Sequence, residues 1–136
     1  MNARANAIGN LEPLNQRSEL VAPRRYLTRI SVRAAGKITF VDLNEVVWIQ
    51  AAENYVQLNT ASGRHLVHVT IQTLQDSLDP TSFLRIHRSL IVNVKEVKEL
   101  ETAAHGEYVF VLRSGVRLQS SRTYNDAIKE WAANPF

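Results

Sequence analysis

Arg85-Ile86-His87-Arg88-Ser89-Leu90-Ile91-Val92-Asn93 alternates polar and apolar residues over its first half, with Arg85 and His87 on one side against Leu84 and Ile86 on the other. A repeat of two marks a strand with one buried face. The alternation stops at Arg88-Ser89 and gives way to Leu90-Ile91-Val92, an apolar run that asks for burial on both sides. Two strands joined by a short donor-rich tip are therefore predicted. Three basic side chains within four residues repel one another and fit a core poorly, so Arg85, His87 and Arg88 should leave the sheet where an anion can approach.

Upstream of this stretch, Thr70 can cap a helix whose apolar residues Ile71, Leu74 and Leu78 fall on one stripe and which Asp79-Pro80 stops. Before it, Val46-Val47-Trp48-Ile49-Gln50-Ala51 and Tyr55-Val56-Gln57-Leu58-Asn59-Thr60 are dense in strand formers. Ala52-Glu53-Asn54 joins them as the exposed tip of a hairpin. An earlier hairpin turns at Gly36, and Gly63 leads into His65-Leu66-Val67-His68-Val69. Downstream, strands over 97–103, 108–112 and 116–120 are separated by turns at His105-Gly106 and Ser114-Gly115. Ser121 then caps a last helix in which Tyr124, Ala127, Ile128 and Trp131 recur at helical spacing. Strands at intervals of about ten residues with glycine turns predict a mostly β domain of antiparallel sheets with two short helices. No internal repeat is visible. Residues 1–25 carry Pro13 and Pro23 and no sustained period, and read as a flexible arm or linker, which leaves 26–136 for the domain.

With 136 residues, 45% of them hydrophobic, the chain has material for one compact domain. It has no cysteine, which excludes a disulfide framework, thiol catalysis and a cysteine zinc site, and fits a reducing, cytoplasmic setting. No apolar run approaches the roughly 18 residues of a membrane span, and the start resembles no secretion signal, so no membrane attachment is expected. The formal charge is +3, yet from Thr28 onward 12 basic residues face 11 acidic ones, net +1. A case for nucleic acid must rest on where the charges lie.

Three polar tips interrupt the strands: Glu53-Asn54, Arg88-Ser89 and Ser120-Ser121-Arg122. Arginine can bind guanine O6 and N7 with two hydrogen bonds in the major groove, and asparagine can do the same for adenine. Serine hydroxyls and an imidazole sit naturally on phosphates. The plainer alternative is that Arg88 and Arg122 are solvated, or pair with Glu53, Glu96 or Glu99. Spacing alone favours the plainer reading, because an arginine at a turn carries little information.

The run Phe83-x-Arg85-Ile86-His87-Arg88-Ser89-Leu90-Ile91-Val92-Asn93 follows Leu74-x-x-x-Leu78 and precedes Leu112-Arg113-Ser114-Gly115-Val116-Arg117-Leu118-Gln119-Ser120-Ser121-Arg122-x-Tyr124. Together with Val46-Val47-Trp48-Ile49-Gln50-Ala51-Ala52-Glu53-Asn54-Tyr55-Val56, these motifs resemble the LytTR family of bacterial transcription-regulator DNA-binding domains over about residues 28 to 130. The resemblance implies an elongated stack of antiparallel β-sheets with small helices, and loops that enter successive major grooves of double-stranded DNA. Carried onto this chain, it makes Arg88, Arg122 and Asn54 the candidates for base contact. Arg85, His87, Ser89 and Ser121 become candidates for phosphate contact. His87 could instead bond a neighbouring carbonyl, and Ser121 could only cap its helix. The resemblance also implies paired DNA repeats with two copies on one operator, and a sensor or inhibitor protein as a further partner. Asn93 reads as structural, and Trp48, Tyr55, Phe83, Tyr124 and Trp131 read as core.

An enzyme is not expected. There is no glycine-rich phosphate loop and no nucleophile elbow, and His65 and His68 on one strand would point to opposite faces, which disfavours joint metal ligation. No cofactor or metal is implied. The competing reading is a protein-protein interaction module of a bacterial signalling system, its strand edges recruiting a partner and its arginines meeting acidic surfaces.

Overall fold

A computed structural model describes residues 25–133. Ten strands follow in order: β1 (Arg29–Ala34), β2 (Lys37–Asp42), β3 (Val46–Ala52), β4 (Tyr55–Thr60), β5 (Gly63–Val67), β6 (Phe83–His87), β7 (Leu90–Asn93), β8 (Val97–Thr102), β9 (Tyr108–Leu112) and β10 (Arg117–Gln119). Helix α1 (Ile71–Ser77) lies between β5 and β6, and α2 (Asn125–Ala133) follows β10. The strands form a two-stranded sheet β1-β2, a five-stranded sheet β5-β4-β3-β7-β6 and a three-stranded sheet β10-β9-β8, with antiparallel neighbours throughout. This is the β-rich architecture with two short helices that the turn spacing predicts. The arm expected over 1–25 lies, Arg25 apart, outside the described residues.

The five-stranded sheet is the middle layer, because neighbouring residues of one strand point to opposite faces. Ile91 joins Ile49, Val56 and Leu58 in a cluster closed by Val32 and Val41 of the hairpin sheet and by Ile71, Leu74 and Leu78 of α1 and its end. Val92 and Ile86 face the other way, into a cluster with Phe110, Leu112 and Leu118 of the three-stranded sheet and Ile128 of α2. The run Leu90-Ile91-Val92 is thus buried on both sides, as its composition asks. Each such side chain taken fully out of water contributes about 1.5–3 kcal/mol. Trp48, Tyr124 and Trp131 pack on the second cluster and Phe83 on the first, while Tyr55 is half-buried with its ring 5.5 Å from that of His68.

The chain changes layer twice by the same device, a short repeat that the sequence reading did not find. Val41-Asp42-Leu43-Asn44-Glu45-Val46 carries it from the hairpin sheet to the middle sheet, and Val92-Asn93-Val94-Lys95-Glu96-Val97 from the middle sheet to the three-stranded one. In each, an Asp or Asn side chain accepts the N–H two residues on, a 3-10 turn follows, and the next strand begins with a β-bulge. The capping side chain satisfies a donor that the tight turn would leave open, and the bulge re-aims the strand into its new layer. The corners are also tied together: Asn93, 3% exposed, donates from Nδ2 to the Val46 carbonyl at 2.9 Å. That is the structural role read for Asn93.

Thr70 caps α1 as expected, its Oγ1 accepting the Thr73 N–H at 3.1 Å. In the turn after α1, Asp79 accepts the N–H and O–H of Thr81, which hold its carboxyl below the ordinary carboxylate value. Ser121 caps a 3-10 turn (Arg122–Tyr124) and not the helix itself. On α2 itself Ile128 is fully buried and Trp131 half-buried, Tyr124 just before it is half-buried, and Ala127, expected on the same stripe, is exposed. No described helix is long and apolar enough to cross a membrane, and among the described residues no group of His, Asp or Glu is arranged to hold a metal ion.

Candidate nucleic-acid interface

Strands β3 and β6 both run antiparallel to β7, so they point the same way and end at the same rim of the middle sheet. The Glu53-Asn54 turn leaves that rim after β3 and the Arg88-Ser89 turn leaves it after β6. They are joined there by backbone, the Ala51 N–H donating to the Ser89 carbonyl at 2.9 Å. The third tip arrives from the other sheet: the Ser121 N–H donates to the Ile86 carbonyl, also at 2.9 Å. All three polar tips read from the sequence therefore lie at one end of the stacked sheets. Both layer-changing corners lie at the opposite end, where β7 finishes and β3 begins.

Asn54, Arg88 and Arg122 are exposed, and among the described residues none of their side chains has a hydrogen-bond or ion-pair partner. Among the described residues the ion pair is Arg117–Glu101, on the outer face of the three-stranded sheet. Pairing of Arg88 or Arg122 with Glu53, Glu96 or Glu99 is not realised. Glu53 turns its tip with φ 56°, in the left-handed region that costs a residue with a side chain about 1–3 kcal/mol unless the surroundings hold it.

The residues between these tips are placed differently from expectation. A β-bulge falls between Arg85 and His87: Arg85 pairs with Ile91, His87 with Leu90, and Ile86 is the extra residue. Alternation fails across it, so Arg85 and His87 sit on opposite faces and do not leave the sheet together. Arg85 curls beneath the tip. Its Nε donates to the His87 carbonyl at 2.8 Å, Nη2 to the Arg88 carbonyl, and Nη1 to Oε1 of Gln75 on α1, with the Tyr124 ring 5.7 Å from the guanidinium carbon. One guanidinium thus binds the tip, helix α1 and the turn before α2 to one another.

His87 Nδ1 bonds no carbonyl. That nitrogen accepts the Ser89 N–H at 3.1 Å and lies 2.9 Å from Ser89 Oγ, which leaves Nε2 to carry the ring proton. Ser121 Oγ accepts the Thr123 N–H at 3.3 Å, and its hydroxyl hydrogen remains available to donate. Ser120, quoted with this tip, is 3% exposed and accepts the Tyr108 N–H, a structural role.

His105, read from the sequence only as part of a turn, comes to the same end. It is exposed with φ 62° on the β8–β9 connection. The next residue's carbonyl accepts from Asn125 Nδ2 at 2.8 Å, and a side chain at Gly106 would meet Arg122 Cδ at 3.9 Å. A donor just before a turn glycine was the available signal.

The family description "LytTr DNA-binding domain" matches residues 36–133. The sensory transduction protein LytT of Bacillus anthracis is 27% identical over 102 residues, 75% of this chain and 42% of that protein. The transcriptional regulatory protein LytR of Staphylococcus aureus (strain N315) is 28% identical over 93 residues, 62% of this chain and 38% of its own. The chain thus spans about two-fifths of the curated relatives it matches. Among solved structures, the LytTr DNA-binding domain of a putative methyl-accepting/DNA response regulator from Bacillus cereus superposes with a TM-score of 0.72 at 20% identity, over 79% of this chain and 98% of that one. The fold is shared with that domain, and by the match over residues 36–133 the chain belongs to the LytTr DNA-binding domain family.

Proposed function

We propose that this DNA-binding chain is a sequence-specific transcription regulator that reads the major groove of double-stranded DNA with loops, Arg88, Arg122 and Asn54 contacting bases. One observation carries the reading: three donor-bearing tips from two sheets share one end of the stacked sheets, with both arginines exposed and, among the described residues, unpaired. An arginine without an ion pair gives up no protein contact when it binds a base edge. Ser89, Ser121 and the Nε2–H of His87 lie beside these tips as phosphate donors that set register. Paired DNA repeats with two copies on one operator, and regulation by a sensor or inhibitor protein, complete the proposal, which places the chain in the cytoplasm with its target. The test is an anisotropy titration at two salt concentrations, on genomic fragments recovered by binding selection and on random duplex. Affinity should fall steeply with salt, each phosphate neutralised adding about 0.9 to the logarithmic slope, and selected fragments should bind tighter than random ones. Equal affinity for both would sink the specific-reader proposal.

From its bonds to the His87 and Arg88 carbonyls and to Gln75, we propose that Arg85 braces the tip in place of the phosphate contact expected of it. In the same titration, Arg85→Met should weaken the preferred site about tenfold, or about 1.4 kcal/mol, by loosening the 87–89 backbone. Its salt slope should stay that of the wild type. A slope smaller by about 0.9 would return Arg85 to the phosphates.

A further inference from the structure

We infer that β2 is a self-pairing edge, through which two copies of this chain join their hairpins into one four-stranded antiparallel sheet. Among the described residues, strand β2 is bonded on one side only, to β1, and no third strand joins that sheet. Five of its six residues are exposed. Ile38 at 50% and Phe40 at 58% exposure are two of the three exposed large hydrophobic residues among those described, and both stand on the outward face of this strand. The third, Leu66, is on β5.

The two-residue turn Ala35-Gly36 closes on the pair Ala34–Lys37, which fixes the hydrogen-bonding pattern. Lys37, Thr39 and Val41 turn their N–H and C=O toward β1, and Ile38, Phe40 and Asp42 turn theirs outward. Devices that normally blunt such an edge are missing from β2: it has no proline, no bulge interrupts its register with β1, and its one lysine stands at its end.

The occupant is argued from the strand's own sequence, Lys37-Ile38-Thr39-Phe40-Val41-Asp42. A cation stands at one end and an anion at the other, so antiparallel self-pairing keeps the two Lys37 residues at opposite ends of the paired strands, and likewise the two Asp42 residues. Parallel pairing would bring like charges together. Across a two-fold axis, facing residues share a face, so the register must centre on a residue. Centring on Thr39 puts Ile38 opposite the second copy's Phe40 and the reverse, uniting four exposed apolar side chains in cross-strand pairs. Centring on Phe40 would set Ile38 against Asp42. Arg29, whose guanidinium carbon lies 4.5 Å from the centre of the Phe40 ring, flanks the patch. The contact area of one strand pair is small, so association is weak in free solution and gains when two copies are held near each other.

The test needs no DNA, so its failure leaves the proposed groove reading untouched. Sedimentation of the full chain from about 10 µM to about 1 mM spans the range of weak association. It should show the mass rising from 15.4 kDa toward twice that value. The chain has no cysteine, so Thr39→Cys supplies a single thiol beside the axis. In a non-hydrogen-bonded pair the Cα atoms lie about 4.5 Å apart, within disulfide reach. Under an added thiol oxidant Thr39→Cys should cross-link to a dimer, Lys129→Cys on α2 should not, and adding Phe40→Lys should abolish both the mass rise and the Thr39 cross-link. A chain that stays monomeric and uncross-linked overturns the inference, as does a dimer that survives Phe40→Lys. Amide protection at Phe40 that is independent of protein concentration also overturns it, assigning the edge to another part of the same chain.

Discussion

Alanine at Arg88, or separately at Arg122, is expected to cost about 1–3 kcal/mol of binding on the preferred site and far less on random duplex. The difference between the two substrates carries the prediction. Each guanidinium is exposed and, among the described residues, unpaired, so removing it strands no buried partner there and should not change the melting temperature. A loss of affinity is then a loss of contact with DNA. An arginine bidentate to guanine loses discrimination at one position of the site, whereas one resting on phosphate loses affinity uniformly and lowers the salt slope. The two residues stand on different loops from different sheets, so the double variant should come near the sum, and the shortfall measures how far one tip positions the other. Fragment selection that is unchanged in both variants would remove them from base reading even if overall binding survived.

The largest effect on folding is expected at Phe110. Its side chain is fully buried on β9, its ring stacked on Trp131 at 5.9 Å between centres, in the cluster that joins the middle sheet to the three-stranded one. Phe110→Ala should destabilise the chain by about 3–5 kcal/mol, combining the lost burial with the cavity left behind. For a domain of this size the melting temperature should fall by more than about 10 °C. Denaturant titration measures the free energy directly, and a change under about 1 kcal/mol would show that the two layers do not depend on this ring. The same cluster holds Ile86, whose carbonyl receives the Ser121 N–H, so the variant should also loosen the third tip against the second before the chain unfolds.

Much of this was legible in the sequence, for a local reason. Alternation between Val46 and Thr60, glycines at 36, 63 and 115, and the Thr70 cap each act within a few residues, and all ten strands and both helices can be read from such signals. The three tips were visible for the same cause, as short donors where alternation stops. What could not be read depends on residues distant in sequence. Arg85-Ile86-His87 alternates like a regular strand, and only the count of residues on β7 reveals that Ile86 is one too many. Arg85 consequently looks like a surface cation, while its acceptors on α1 lie ten and thirteen residues away. Ala127 has the spacing of a core position, but α2 docks through Ile128, one position on, and leaves Ala127 exposed. The repeated corner escaped because only valine, glutamate and an Asp/Asn pair recur in it, too little identity to stand out.

That corner has a further meaning. Both joints that fasten one layer to the next sit at the far rim, and Asn93 ties them to each other there, while positions 54, 88 and 122 ride on the other rim. Substitution at those three sites therefore disturbs neither joint. A lineage built on this plan can diverge in what its fingertips select while inheriting an unaltered frame, and recognition and foldability evolve as nearly separate traits.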